Sequence, residues 1–359
     1  MKAVLRRDRK LVEADLATPS PGPGQVLVKT LVCGICGSDL HALHHLEHMV
    51  ETNRRAGAAD TLDPAADIVF GHEFSAEILD HGPDTARTLK PGTRVVSVPM
   101  GIGPAGVELI GYSNRFPGGF AEQMVLQEAL LMEVPNGLSA EAAAMVEPMA
   151  VGEHAVAKAN PGPGSVCLVV GCGPVGLAVI AALKARGIGP VIASDFSESR
   201  RRMAEVMGAD IVLDPAATSP HAHWEALDVP ATLASFSAAR LMGRNIRDAI
   251  VFECVGVPGL IQNLIEAVPP TARLVIVGVC MEDDRITPVL AINKQLSLDF
   301  VFAYSPEEFA QTLMRVAEGT IDVAPMISGV VGRSGVAAAF EALGKAGGPV
   351  KLMVNPALA

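Results

Sequence analysis

At 359 residues, half of them apolar, the chain is too long for one ordinary core and is expected to form two domains with a cleft between them. Its 28 basic and 39 acidic residues leave a net charge of −11, which speaks against a nucleic acid or an anionic membrane as partner, and Gly, Pro or charge interrupts each apolar run before the roughly 18 residues that span a bilayer. Six scattered cysteines and a charged start, Met1 to Arg7, with no apolar core or cleavage site, point to the cytoplasm, with no disulfide and no secretory signal.

Residues 1–30 read as short strands, with Gln25 to Lys29 alternating after the turn-rich stretch from Pro19 to Gly24. Next comes Val32-Cys33-Gly34-Ile35-Cys36-Gly37-Ser38-Asp39-Leu40-His41, answered further on by Gly71-His72-Glu73. Cys36 offers a thiolate, His72 an imidazole and Glu73 a carboxylate, a mixed set that suits Zn2+ held by three protein groups with a fourth position open for chemistry. Ser38 and His41 can pass a proton from an alcohol at such a metal to water. Taken singly, Cys36 also reads as a small buried hydrophobe, Cys33 with Cys36 as a C-x-x-C redox pair, and Asp39 as a local hydrogen-bonding brace.

The segment from His44 to Asp67 is long and rich in charge, and is expected to border a substrate mouth. His41, His44, His45 and His48 share one helical face, which invites a second metal site, although exposed histidines need no metal. Residues 74–135 continue the β-rich opening: Phe74 to Ile78, Arg94 to Val98 and Gln123 to Leu126 are apolar runs separated by Gly and Pro, and a partly open β-barrel is the natural architecture.

From Ser165 strand and helix alternate: Val166 to Val170, Pro174 to Arg186, Val191 to Ser194, then Glu198 to Met207, the pattern of a parallel sheet. Gly171, Gly173 and Gly176 follow a strand and open a helix, with Pro174 suited to its first turn, so backbone amides can approach a pyrophosphate at the helix N-terminus. Asp195, at the end of the second strand, can hold ribose hydroxyls and would repel a 2′-phosphate, while Arg200 can reach the adenosine ribose. Asp214 to Pro230 reads as irregular and Leu233 to Met242 as a helix. Strands at Ala249 to Glu253 and Arg273 to Val277, with a helix from Pro258 to Ala267 between them, complete the pattern. After a strand from Leu298 to Phe302 the chain is expected to return to the first domain, with a helix from Pro306 to Ala317 and a last strand near Val350 to Val354.

Five segments in order, Cys36-Gly-Ser-Asp-Leu-His41, Gly71-His72-Glu73, Gly118-Gly119-Phe120-Ala121-Glu122, Glu147-Pro148 and Gly171-Cys-Gly173-Pro-Val-Gly176, resemble the zinc-dependent medium-chain dehydrogenase/reductases, which include alcohol, sorbitol and threonine dehydrogenases. The resemblance spans nearly the whole chain. It implies an α/β protein with a GroES-like, partly open β-barrel catalytic domain at 1–150, a doubly wound Rossmann domain for NAD at 151–300, and a return to the catalytic domain at 301–359. It also implies metal ligation by Cys36 and His72, completed by Glu73 or Glu147, and proton relay through Ser38, the cofactor ribose and His41. NAD would meet Gly171, Gly173, Pro174, Val175, Gly176, Asp195, Arg200, Val255, Val277 and Val279. Glu147 occupies a position that sorbitol-type relatives fill with glutamate, so Glu73 and Glu147 are expected to exchange on the metal. Residues 99–118 contain no cysteine, so one catalytic zinc and no structural zinc is expected, in a homodimer or homotetramer acting on a small alcohol or carbonyl compound. The alternatives are a zinc-free quinone or enoyl reductase of the same superfamily, and a non-catalytic nucleotide-binding scaffold.

Overall fold

The computed structural model describes residues 1–59, 61–104 and 106–359, and the chain divides into two compact units, 1–147 with 309–359, and 148–308. No helix among the described residues is long and apolar enough to cross a membrane.

The first unit is built on the ten-residue strand Gln25–Gly34, whose alternation of buried and exposed positions carries it past the expected Lys29. It pairs antiparallel with Glu73–His81, Gln123–Gln127 and Lys351–Val354 within a seven-stranded sheet. The outermost strands, Ile327–Val331 and Leu131–Glu133, do not pair with each other, so the barrel stays partly open. Register is what assembles chemistry here. Gly34 stands opposite both Glu73 and Met353. Antiparallel pairing therefore brings Cys36, two residues past Gly34, to the sheet end where His72 precedes Glu73 and Lys351 precedes Met353.

Helix Gly37–Arg55 starts at this sheet end and takes up the first half of the charged segment. It buries Asp39, Ala42, Leu46 and Val50, one face at helical spacing, and is kinked at His45. The N-terminal strand Lys2–Arg7 clamps the segment at two places. Arg6, almost fully buried, donates to Pro64 O at 2.8 Å and pairs with Glu47 at 3.2 Å, while Arg7 makes a two-pronged pair with Asp67 at 2.9 and 2.6 Å. In the region without cysteines, Met100–Gly103 and Gly106–Leu109 form a hairpin.

The second unit carries a fully parallel six-stranded sheet in the order Ile211–Leu213, Val191–Ser194, Val166–Val170, Ala249–Glu253, Arg273–Ile276, Ser297–Phe300. In chain order this is 3-2-1-4-5-6, the doubly wound dinucleotide-binding arrangement, with its switch point beside the first strand. The irregular stretch after Asp214 contains two short 3-10 turns, Pro220–His223 and Glu225–Leu227, wrapped around the chain's single tryptophan. Trp224 is buried against the sheet core, and its Nε1 donates to His221 Nδ1 at 3.2 Å.

Burial, aided by Lys294, pushes the His221 imidazole down from 6.5 to about 4. A histidine held neutral in this way stabilises the fold fully above its unfolded value, and that stability is lost as pH falls towards the folded one. Lowering pH from 7 to 4 should therefore remove on the order of 3 kcal/mol through this group alone. Urea unfolding followed by tryptophan fluorescence should show the loss in the parent and a shallower one in His221→Gln, and equal slopes would refute the assignment.

Candidate active site

Cys36 follows the central strand and serves as N-cap to helix Gly37–Arg55, His72 sits just before strand Glu73–His81, and Glu73 opens it. One ligand atom from each of the three lies within 4.8 Å of the others, the one such group of His, Cys, Asp and Glu among the described residues. His72 and Glu73 are buried, and His72 Nδ1 is a buried nitrogen without a hydrogen-bond partner, 3.7 Å from Asp39 Oδ1. A half-buried thiol converging with a buried imidazole and a buried carboxylate fits zinc. Burial alone would push the His72 imidazole down; Asp39, the Cys36 sulfur and Glu147 together outweigh it and hold it well above the ordinary histidine value. Metal binding at such a site must release that proton.

Glu73 is not free to act as a simple ligand. Lys351 Nζ grips both carboxylate oxygens, at 2.8 and 2.7 Å, and donates as well to Ile35 O at 3.1 Å, with Lys351 and Glu73 each 1% exposed. Gly34 makes room for the pair, since a Cβ there would collide with Glu73 Oε2. Glu147, buried in the first turn of Val146–Ala159, acts electrostatically on both His72 and Lys351 but falls outside the ligand-range group. Sequence reading missed Lys351. Its one signal was a lysine in phase with Met353 inside an otherwise apolar strand.

Asp39 does brace the site: it accepts the Cys36 N–H at 3.0 Å and lies fully buried. Ser38 and His41 follow on the same helix, one turn apart. Partial burial of its ring and neighbouring His45 push the His41 imidazole below its ordinary value, which keeps it a neutral proton acceptor near pH 7. The histidines at 41, 44, 45 and 48 are all exposed, and no three of them reach ligand range among the described residues. Cys33 is fully buried, and burial pushes its thiol well up, so it is inert rather than half of a redox pair. All six cysteines are free.

In the second unit Gly171, Gly173 and Gly176 lie between strand Val166–Val170 and helix Pro174–Ala185, or in its first turn, with Pro174 at the first helical position and Val175 next to it. A Cβ at Gly176 would collide with Gly171 O, whereas one at Gly173 would meet only open space, the space a pyrophosphate needs at a helix N-terminus. Asp195 is buried and already employed: its two oxygens accept the N–H groups of Cys172 at 2.8 Å and Ser197 at 2.7 Å, so it ties the glycine loop to the second strand's end. Arg200 Nη1 stands 4.0 Å away. Glu253, unforeseen, orders the loop after its own strand on the other side of the first strand, its Oε1 accepting Val255 N–H at 2.6 Å and Gly256 N–H at 2.8 Å. Val255 and Val279 are exposed and Val277 is buried.

Known proteins resemble the chain over nearly its whole length. Residues 22–136 match the model of the alcohol dehydrogenase GroES-like domain, and residues 174–319 that of zinc-binding dehydrogenases. The chain is 30% identical to (R,R)-butanediol dehydrogenase of Bacillus subtilis (strain 168) over 366 aligned positions, covering 99% of this chain and 100% of that protein. It is also 30% identical to sorbitol dehydrogenase of Bos taurus, covering 86% of this chain and 83% of the relative. The crystal structure of 2R,3R-butanediol dehydrogenase from Bacillus subtilis superposes with a TM-score of 0.78 at 28% identity, with 99% of each chain covered.

Proposed function

The chain belongs to the zinc-binding alcohol dehydrogenase family, and from that premise we propose that it is an NAD-dependent oxidoreductase of polyols, diols or hydroxy ketones. The observation that carries this reading is the convergence of half-buried Cys36 with buried His72 and Glu73 in one cluster; a zinc-free reductase or a scaffold has no use for it. The diol and polyol named for the two similar dehydrogenases support the substrate class.

Cys36 and His72 are read as the constant zinc ligands, with the Asp39 carboxylate 3.7 Å from His72 Nδ1. Glu73 and Glu147 share the third place, with the Lys351 clasp keeping Glu73 in reserve. Bound there, zinc would supply a Lewis acid that lowers the pKa of an alcohol, and a nicotinamide on the second unit would supply the hydride acceptor. Ser38 accepts the alcohol proton and releases its own towards His41, which hands it to water. The reading includes one zinc per chain, a homodimer or homotetramer as the family resemblance implies, and a cytoplasmic setting, which six unpaired cysteines suit. Elemental analysis together with NAD reduction over a panel containing 2,3-butanediol, sorbitol and simple secondary alcohols tests it. Absence of zinc, or activity that survives its removal by a chelator, would overturn the proposal.

NAD is preferred to NADP because a carboxylate at the strand end repels a 2′-phosphate. Since Asp195 also anchors the glycine loop, Asn, which keeps one acceptor oxygen, is the informative replacement. Losing one charged hydrogen bond costs about 1.5–3 kcal/mol, so Asp195→Asn should weaken NAD about ten- to a hundredfold and NADP much less, measured by calorimetric titration. A parent protein that already binds NADP more tightly would refute the assignment.

A further inference from the structure

Just past the hairpin strand Gly106–Leu109 the chain turns through Ile110 and Gly111 and delivers one of its two tyrosines, Tyr112, to the site. Gly111 is needed for that turn: its φ is +83°, and a Cβ on it would press on Gly71 N at 3.0 Å. Tyr112 packs its ring against Phe70 and His72, with ring centroids 5.8 and 5.5 Å away. Its hydroxyl lies 2.9 Å from both Ser38 Oγ and Asp39 Oδ1.

A phenol has one hydrogen for these two neighbours. The Asp39 carboxylate, which already accepts the Cys36 N–H, is the stronger acceptor and has no hydrogen to return. Tyr112 therefore donates to Asp39, and the Ser38–Tyr112 bond must be made with the serine's hydrogen. That fixes the polarity of Ser38: its hydrogen points at Tyr112, and its free lone pairs are left for a substrate hydroxyl.

We propose that Tyr112 is a positioning residue that holds Ser38 as the acceptor of the substrate's hydroxyl hydrogen. The inference rests on the dehydrogenase reading above. When the alcohol proton reaches Ser38 Oγ, the serine's original hydrogen turns away from Tyr112 and leaves towards His41. Tyr112 keeps its own hydrogen on Asp39, so the alcohol loses one proton, His41 gains one, and the phenol stays neutral.

The test compares Tyr112→Phe, Ser38→Ala and the double variant as zinc-loaded enzymes, reading kcat, the solvent deuterium isotope effect, zinc content and melting temperature. Tyr112→Phe should keep its zinc, lower the melting temperature by only a few degrees through the lost hydrogen bond to Asp39, lower kcat about tenfold, a fraction of what proton-transfer groups contribute, and raise the isotope effect. In the Ser38→Ala background the same change should be silent. Parent-like kcat and isotope effect in Tyr112→Phe, an equal loss in the Ser38→Ala background, or loss of zinc would each overturn the inference. A parent enzyme that oxidises no alcohol in the panel would instead overturn the functional reading, and this inference with it.

Discussion

Cys36→Ala is expected to leave the protein without bound zinc and with kcat reduced about a thousandfold or more, since a Lewis acid supplies several kcal/mol of transition-state stabilisation. Of the candidate ligands only Cys36 contributes a thiolate, and the register of strand Gln25–Gly34 against Glu73–His81 offers no second sulfur in range, because Cys33 is buried in the core. Glu147→Gln should behave differently, keeping most of the zinc while losing rate, because Glu73 stays within ligand range of Cys36 and His72 and would complete the set. Elemental analysis and the absorbance of reduced cofactor separate the two outcomes. Stoichiometric zinc in Cys36→Ala would mean that other groups hold the metal.

Lys351→Met should destabilise the fold by about 3–5 kcal/mol, the usual consequence of stripping the partner from a buried charge. Glu73 would be left buried with its two strongest hydrogen bonds gone. Combining the change with Glu73→Gln should restore much of the loss, since a neutral pair needs no counter-charge, and urea unfolding of the four proteins measures the coupling. Burial opposes the charge on Lys351, but Glu73, Cys36 and Glu147 together outweigh it and raise the lysine above 10.5. The stabilisation linked to the lysine's own titration is accordingly complete below that ordinary value and is lost as pH rises through the higher folded one. A Lys351→Met protein as stable as the parent would show that the clasp contributes nothing.

Sequence reading reached furthest where chemistry is local. The glycine spacing from Gly171 to Gly176 and the acid at Asp195 are legible because a strand, a tight turn and a helix start need those residues in that order. The same holds for Cys36, Ser38, Asp39 and His41, all within two turns of one helix start. It was silent on the second duty of Asp195, because a hydrogen bond to Cys172 N depends on how two strand ends meet.

The sequence by itself determined the kinds of chemistry available: one thiolate, imidazole and carboxylate set for a metal, one glycine loop for a pyrophosphate, and the periodicities that separate an antiparallel first unit from a parallel second one. Only the tertiary structure decided which groups control them. Lys351 meets Glu73 across 278 positions of chain, and Tyr112 meets Ser38 across 74. The physical reason is strand register and loop packing: both act between residues far apart in the chain, where spacing and periodicity carry no information, and both are settled by which side chains can be buried together.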